Sequence, residues 1–129
     1  MALVNFLVNF ALTSINMANR KVIFYQHYFQ DFFSGLDEKT KKKVLQVLTW
    51  IQSLDIVPVS LMKSIEGVKG LYEIRVEYNG KIYRIFCCFD KGELVVLFSG
   101  FQKKTQKTPS VEIERAKRLM TDYFESKRD

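Results

Sequence analysis

Two arginines, Arg75 and Arg84, flank an Asn79-Gly80 dipeptide inside a run whose apolar residues alternate. Asn-Gly between alternating apolar residues is the strongest short-range hairpin signal. A two-residue turn there pairs Tyr78 with Lys81 and sets Arg75 directly opposite Arg84. Like charges facing each other across strands are destabilising. Such a pair points to an anion that both side chains meet, and guanidinium forks suit phosphate oxygens. Glu73, Glu77, Phe86 and Ile82 share that side, whereas Tyr72, Ile74 and Val76 against Cys87, Ile85 and Tyr83 form a core-type face. The alternative is that Glu73 and Glu77, diagonal to Arg84, neutralise the arginines in a surface network.

A turn centred on Lys91-Gly92 extends the row by placing Ser99 beside Arg84, with Phe101 and Lys103 on the same parity. A three-residue loop with a bulge shifts that register. Lys103, Lys104 and Lys107 then crowd the rim just before Thr108-Pro109. A lysine among other cations is a candidate proton-transfer group, and Glu73 is an alternative base. A charge run is by itself most often a solvated face.

These residues need a scaffold. KVIFY at 21–25 reads as a short strand. Tyr28, Phe29, Phe32 and Phe33 then follow at helical spacing, and Gly35 ends that helix. Asp37 is placed to cap a second helix whose Val44, Val47, Leu48, Ile51 and Leu54 share one side, with Lys39 and Lys41–Lys43 solvated in its first turns. Trp50 reads as core. Strands follow over 71–78, 81–89 and 94–101. Thr108 is placed to cap a last helix that begins at Pro109 and runs to about Ser126. Strand, two helices, three strands and a helix make an α+β domain, with an N-terminal helical hairpin and a C-terminal helix packed on an antiparallel sheet.

The totals fit one domain of 129 residues with net charge +6 and pI ≈ 9.3, which favours polyanionic partners. Residues 63–107 hold nine Lys/Arg against five Asp/Glu, so the excess sits in the strand region. Cys87 and Cys88 are neighbours, which in a strand point to opposite faces and suit neither a disulfide nor a shared metal ion. His27 is the only histidine, so His–His acid–base chemistry is excluded and a zinc site is not expected. No phosphate-cradling glycine motif or nucleophile–base arrangement appears, so no cofactor is expected and a free metabolic enzyme is disfavoured. Residues 1–16 read as an extension outside the domain at 17–129. They are apolar but interrupted by Asn5 and Asn9, and too short to span a bilayer.

The segments "GLYEIRVEYNGKIYRIFCCFD" and "LVVLFSGFQKKTQKTPSVEIERAK" carry L-Y-E-I-R, Y-R-I-F, F-x-K-K-T-x-K-T-P and E-I-x-x-A in order. In that ordered set the chain, over about residues 19–126, resembles the HigB-type (phage host-inhibition-like) branch of the RelE/ParE toxin superfamily. The resemblance implies a compact, cytoplasmic, RelE-like toxin of a type II toxin–antitoxin pair. Most characterised members enter the ribosomal A site and cut mRNA there. The implied partners are the ribosome, mRNA and a helix-turn-helix antitoxin, with no membrane. It puts Arg75 and Arg84 at basic active-site positions and Lys103, Lys104 and Lys107 in the basic loop before the last helix. Two departures stand out. The best-known RelE pattern has lysine where this chain has Glu73, and a tyrosine after the basic loop where residues 105–110 are TQKTPS. The next tyrosine here is Tyr123, so a mechanism using a loop tyrosine is not carried over. Two rival readings remain: a non-catalytic RNA-binding module, and a ParE-like inhibitor of DNA gyrase, which would need no arginine pair.

Overall fold

The fold was analysed in a computed structural model that describes residues 20–92 and 94–128; the expected extension at 1–16 lies outside them. The elements are β1 (Lys21–Phe24), α1 (Tyr28–Ser34), α2 (Glu38–Ser53), β2 (Met62–Ser64), β3 (Leu71–Tyr78), β4 (Lys81–Asp90), β5 (Leu94–Lys103) and α3 (Ser110–Ser126). The strands form one sheet in the order β1-β5-β4-β3-β2, antiparallel except where β1 runs parallel to β5. This is the expected α+β architecture, consistent with a RelE-like fold, with two differences, the first an added strand. The edge strand β2 pairs Met62 with Ile74 and Ser64 with Tyr72. At three residues it is too short to show an alternating pattern. The strand expected at 21–25 is present as β1, and the second difference is that it pairs parallel to β5.

Helices α1 and α2 pack on one side of the sheet. Phe29, Phe33, Val44, Val47, Leu48 and Ile51 are fully buried against Ile74, Val76, Ile85, Cys87, Val95 and Leu97. The Asp37 carboxylate accepts the Thr40 N–H at 2.8 Å, which starts α2 and holds that carboxyl below the usual aspartate range. Leu54 departs from expectation: it follows the last turn of α2 in extended geometry and is partly exposed. There the Arg20 guanidinium donates to the carbonyls of Ile51, Leu54 and Asp55. A cation is favourable at a helix C-terminus, where carbonyls lack partners. Trp50 packs partly buried on this core, with the Lys43 ammonium 5.1 Å from its ring centre.

Helix α3 covers the opposite face only in part. Ala116, Leu119 and Tyr123 bury Leu71, Phe86, Cys88, Val96 and Phe98. The helix begins one residue later than expected. Pro109 is its N-cap, its carbonyl takes the Glu112 and Ile113 N–H groups, and no side chain caps it, Thr108 included. Among the described residues no helix is long and apolar enough to cross a membrane.

Candidate functional site

The uncovered half of the α3 side lies at the β3–β4 turn. Asn79 and Gly80 have φ of 53° and 76°, the left-handed pair that a tight two-residue turn demands. The ladder is Tyr72↔Cys87, Glu73↔Phe86, Arg75↔Arg84 and Glu77↔Ile82, as read from that dipeptide. The two arginines therefore face each other.

They do not share a state. Arg84 is 3% exposed, its Nη1 donates to the Tyr83 carbonyl at 3.1 Å, and its Nε lies 2.5 Å from Oε2 of Glu73, itself 8% exposed. That N–O contact is a close ion pair between two buried groups. Burial pulls the Arg84 guanidinium below the usual arginine range, while Glu73 pushes it up and Arg75 pulls it down. Arg75 is half-buried and its side chain makes no hydrogen bond or ion pair with any described residue. Neutralisation by Glu73 thus holds for Arg84, and Arg75 carries the open charge.

The third strand corrects the expected row. The loop after Asp90 spans residues 91–93, so Asp90 pairs with Leu94 and Cys87 with Leu97. A bulge follows in which Phe86 faces both Phe98 and Ser99, and beyond it Arg84 pairs with Phe101 and Ile82 with Lys103. The cross-strand row is Arg75–Arg84–Phe101, and Ser99 is not beside Arg84. Loop and bulge together restore the expected parity for Phe101 and Lys103. Ser99 is 2% exposed, and its hydroxyl has no hydrogen-bond partner among the described residues. Gly100 next to it is required: a Cβ there would stand 2.6 Å from the Phe32 ring of α1.

Lys103 is partly exposed at the end of β5, one step from Arg84, whereas Lys104 and Lys107 are exposed in the following loop. The Thr105 hydroxyl donates to the Lys107 carbonyl at 2.8 Å, a local turn. Among the described residues no ion pair joins these lysines to Glu73. The site therefore consists of Glu73, Arg75 and Arg84, with Lys103 adjoining and Lys104 and Lys107 at its rim. Sequence reasoning did not single out two of its members. Lys63 on β2 stands opposite Glu73, and Phe101 offers a partly exposed ring that stacks on Phe86 at 5.8 Å. The parity of Phe101 was legible; Lys63 depends on a strand too short to read.

Other reactive types stand apart from this row. Tyr123, on the sheet-facing side of α3, donates to Asp90 at the end of β4, at 2.7 Å, and is buried. His27 pairs with Asp31 on the exposed start of α1. Burial pushes the Cys87 thiol up strongly and the Cys88 thiol to about 12, so neither is a nucleophile. No cluster of three or more His, Cys, Asp or Glu side chains suited to a metal ion occurs among the described residues.

The family model described as phage derived protein Gp49-like (DUF891) matches residues 31–121, from α1 into α3, including every residue of this face named above. No curated protein matches the chain.

Proposed function

The chain belongs to the Gp49-like family, a member of the RelE/HigB-type group of toxin-like proteins generally linked to toxin–antitoxin systems, and from that premise we propose that it is a toxin that cuts mRNA on the ribosome. The observation that carries this reading is the cross-strand Arg75–Arg84 pair, in which Arg84 is buried against Glu73, Arg75 is half-buried with no ion pair among the described residues, and the partly exposed Phe101 ring lies beside Arg84.

RNA supplies its own nucleophile, the 2′-hydroxyl next to the scissile phosphate. The 2′-oxygen bonds to phosphorus, a base takes its proton, and the 5′-oxygen leaves with a proton. Arg75 meets the phosphate first, because its charge is free. Arg84, held from below by Glu73, is the second donor to the charge that develops on the phosphorane. Substrate phosphate competes with Glu73 for Arg84, which frees the Glu73 carboxylate to accept the 2′-proton. Lys103, Lys104 or Lys107 delivers the proton to the leaving oxygen. With no histidine in the row, the ribosome supplies much of the orientation. In the cell the partners are the ribosome, mRNA and a cognate helix-turn-helix antitoxin, and the compartment is the cytoplasm.

The test is a reconstituted bacterial translation reaction with new 5′ ends mapped by primer extension. Wild-type protein produces cuts that need active ribosomes, and Arg75→Ala and Arg84→Ala each lose about 10²-fold or more in cutting rate, the usual scale for removing one transition-state donor. Cuts that survive both substitutions move the site elsewhere. An intact message ends the nuclease reading in favour of RNA binding without cleavage or of gyrase inhibition.

A further inference from the structure

Three shallow depressions meet at the β3–β4 turn, and all three share Tyr78. The first, about 290 Å³, is lined by Lys39, Lys42, Lys43 and Gln46 of α2 with Tyr78. The second, about 340 Å³, joins Lys39 to Asn79 past Asp37 and Glu38. The third, about 320 Å³, continues over Asn79, Gly80 and Lys81 to Glu77 and Ile82. Glu77 and Ile82 lie on the arginine side of the sheet, whereas Tyr78 and Lys81 pair on the α2 side. Together the depressions make a groove that leaves the arginine face at Ile82, rounds the hairpin tip and ends on the lysines of α2.

Its charge is only partly engaged by the protein: Lys43 lies over the Trp50 ring, and Lys81 acts on the Asp37 carboxylate through space. Lys41 pairs with Glu38 at 3.5 Å, but Lys39, Lys42, Lys43 and Lys81 have no carboxylate within ion-pair distance among the described residues. The Asp37 carboxylate is engaged by Thr40. A lysine in the first turn of a helix opposes its dipole, and while Lys43 gains the Trp50 ring, no such contact offsets Lys39 and Lys42 among the described residues. Fixed cations along a groove, with an aromatic ring midway, suit a single-stranded nucleic acid. The lysines track phosphates and the ring stacks a base, at about 1–3 kcal/mol per stacked base.

We propose that this groove is a second subsite for single-stranded RNA. The segment flanking the scissile phosphate turns round the hairpin tip, stacks on Tyr78 and sets its phosphates on Lys39, Lys42 and Lys43. The inference rests on the reading of the arginine face as an RNA site and adds a direction to it. RNA leaves that face over Ile82, not across β5.

Fluorescence anisotropy with labelled single-stranded RNA of two lengths, about 4 and about 12 nucleotides, tests it over a salt series, with a thermal melt for each variant. The wild-type chain binds the longer RNA more tightly and with a steeper salt dependence. Replacing Lys39, Lys42 and Lys43 together by Gln lowers the long-RNA salt slope by about 2, at roughly 0.7 per phosphate for single strands, and leaves the short-RNA affinity unchanged. Tyr78→Ala weakens the long RNA about 5- to 100-fold. If the lysine triple leaves long-RNA binding unchanged while Arg75→Ala weakens both lengths, the groove is refuted and the arginine site stands. If the wild-type chain binds neither RNA, both fall. If the triple instead abolishes binding of an acidic partner protein and not of RNA, the groove is a protein-docking surface and the proposal is wrong.

Discussion

Two buried carboxylates sit on the α3 side of the sheet, Asp90 at the end of β4 and Glu73 at mid-strand opposite Phe86, and they are treated differently. Asp90, 5% exposed, receives the Tyr123 hydroxyl and the Lys127 ammonium, both brought by α3. Those two donors hold its carboxyl below the usual aspartate range, against the opposing effect of burial. Glu73 has a single charged partner, Arg84, with Arg75 alongside making no ion pair among the described residues. A satisfied buried network fixes one structure, whereas a partly satisfied one keeps bonding capacity for something else. The Asp90 end is a fastening, and the Glu73 end is where a ligand has bonds to gain.

Arg84→Ala gives the largest expected effect. It leaves the Glu73 carboxylate buried without a counter-charge, and stability measured by urea unfolding falls by about 3–5 kcal/mol. Replacing both partners, Glu73→Leu with Arg84→Met, recovers most of that loss while RNA cutting stays absent. A single Arg84→Ala loss under 1 kcal/mol would mean the pair is already solvated and the contrast with Asp90 is false.

At the fastening end, Tyr123→Phe removes one hydrogen bond to a charged group and costs about 1.5–3 kcal/mol, with cutting unchanged. Acid titration sharpens the same point. Because the folded-state pKa of Asp90 is depressed, its contribution is present above the unfolded aspartate value and is lost as pH falls through the folded one. Stability therefore drops below about pH 4, and Tyr123→Phe combined with Lys127→Ala makes that drop shallower. The smallest effect on stability belongs to Arg75→Ala, within about 0.5 kcal/mol of wild type by thermal or urea unfolding, although it removes most cutting. A large loss of stability at Arg75 would make it structural and erase the asymmetry between the two arginines.

Much of this site was legible in the sequence, because the Asn79-Gly80 turn fixes the register of β3 on β4 locally. The position of β5 was not. Its register is set twice, by the loop at 91–93 and by the bulge at Phe98–Ser99, and the second depends on tertiary packing of α1 against Gly100. Ser99 was misplaced for that reason. The unequal state of the two arginines was equally hidden: strand alternation gives Glu73 and Glu77 the same diagonal relation to Arg84, and only packing selects Glu73. Thr108 and Leu54 show a smaller limit, since helix ends shift by a residue or so without changing the hydrophobic pattern.

The parallel pairing of Lys21–Phe24 with Leu94–Leu97 has a consequence for how the chain is born. The first strand must wait for the last, so the sheet closes only when nearly the whole polypeptide has left the exit tunnel, and contacts so distant in sequence form slowly. Arg75 and Arg84 emerge before Phe101 and Lys103, which complete the row. A ribosome making this protein therefore finishes most of its work before the row exists as a unit.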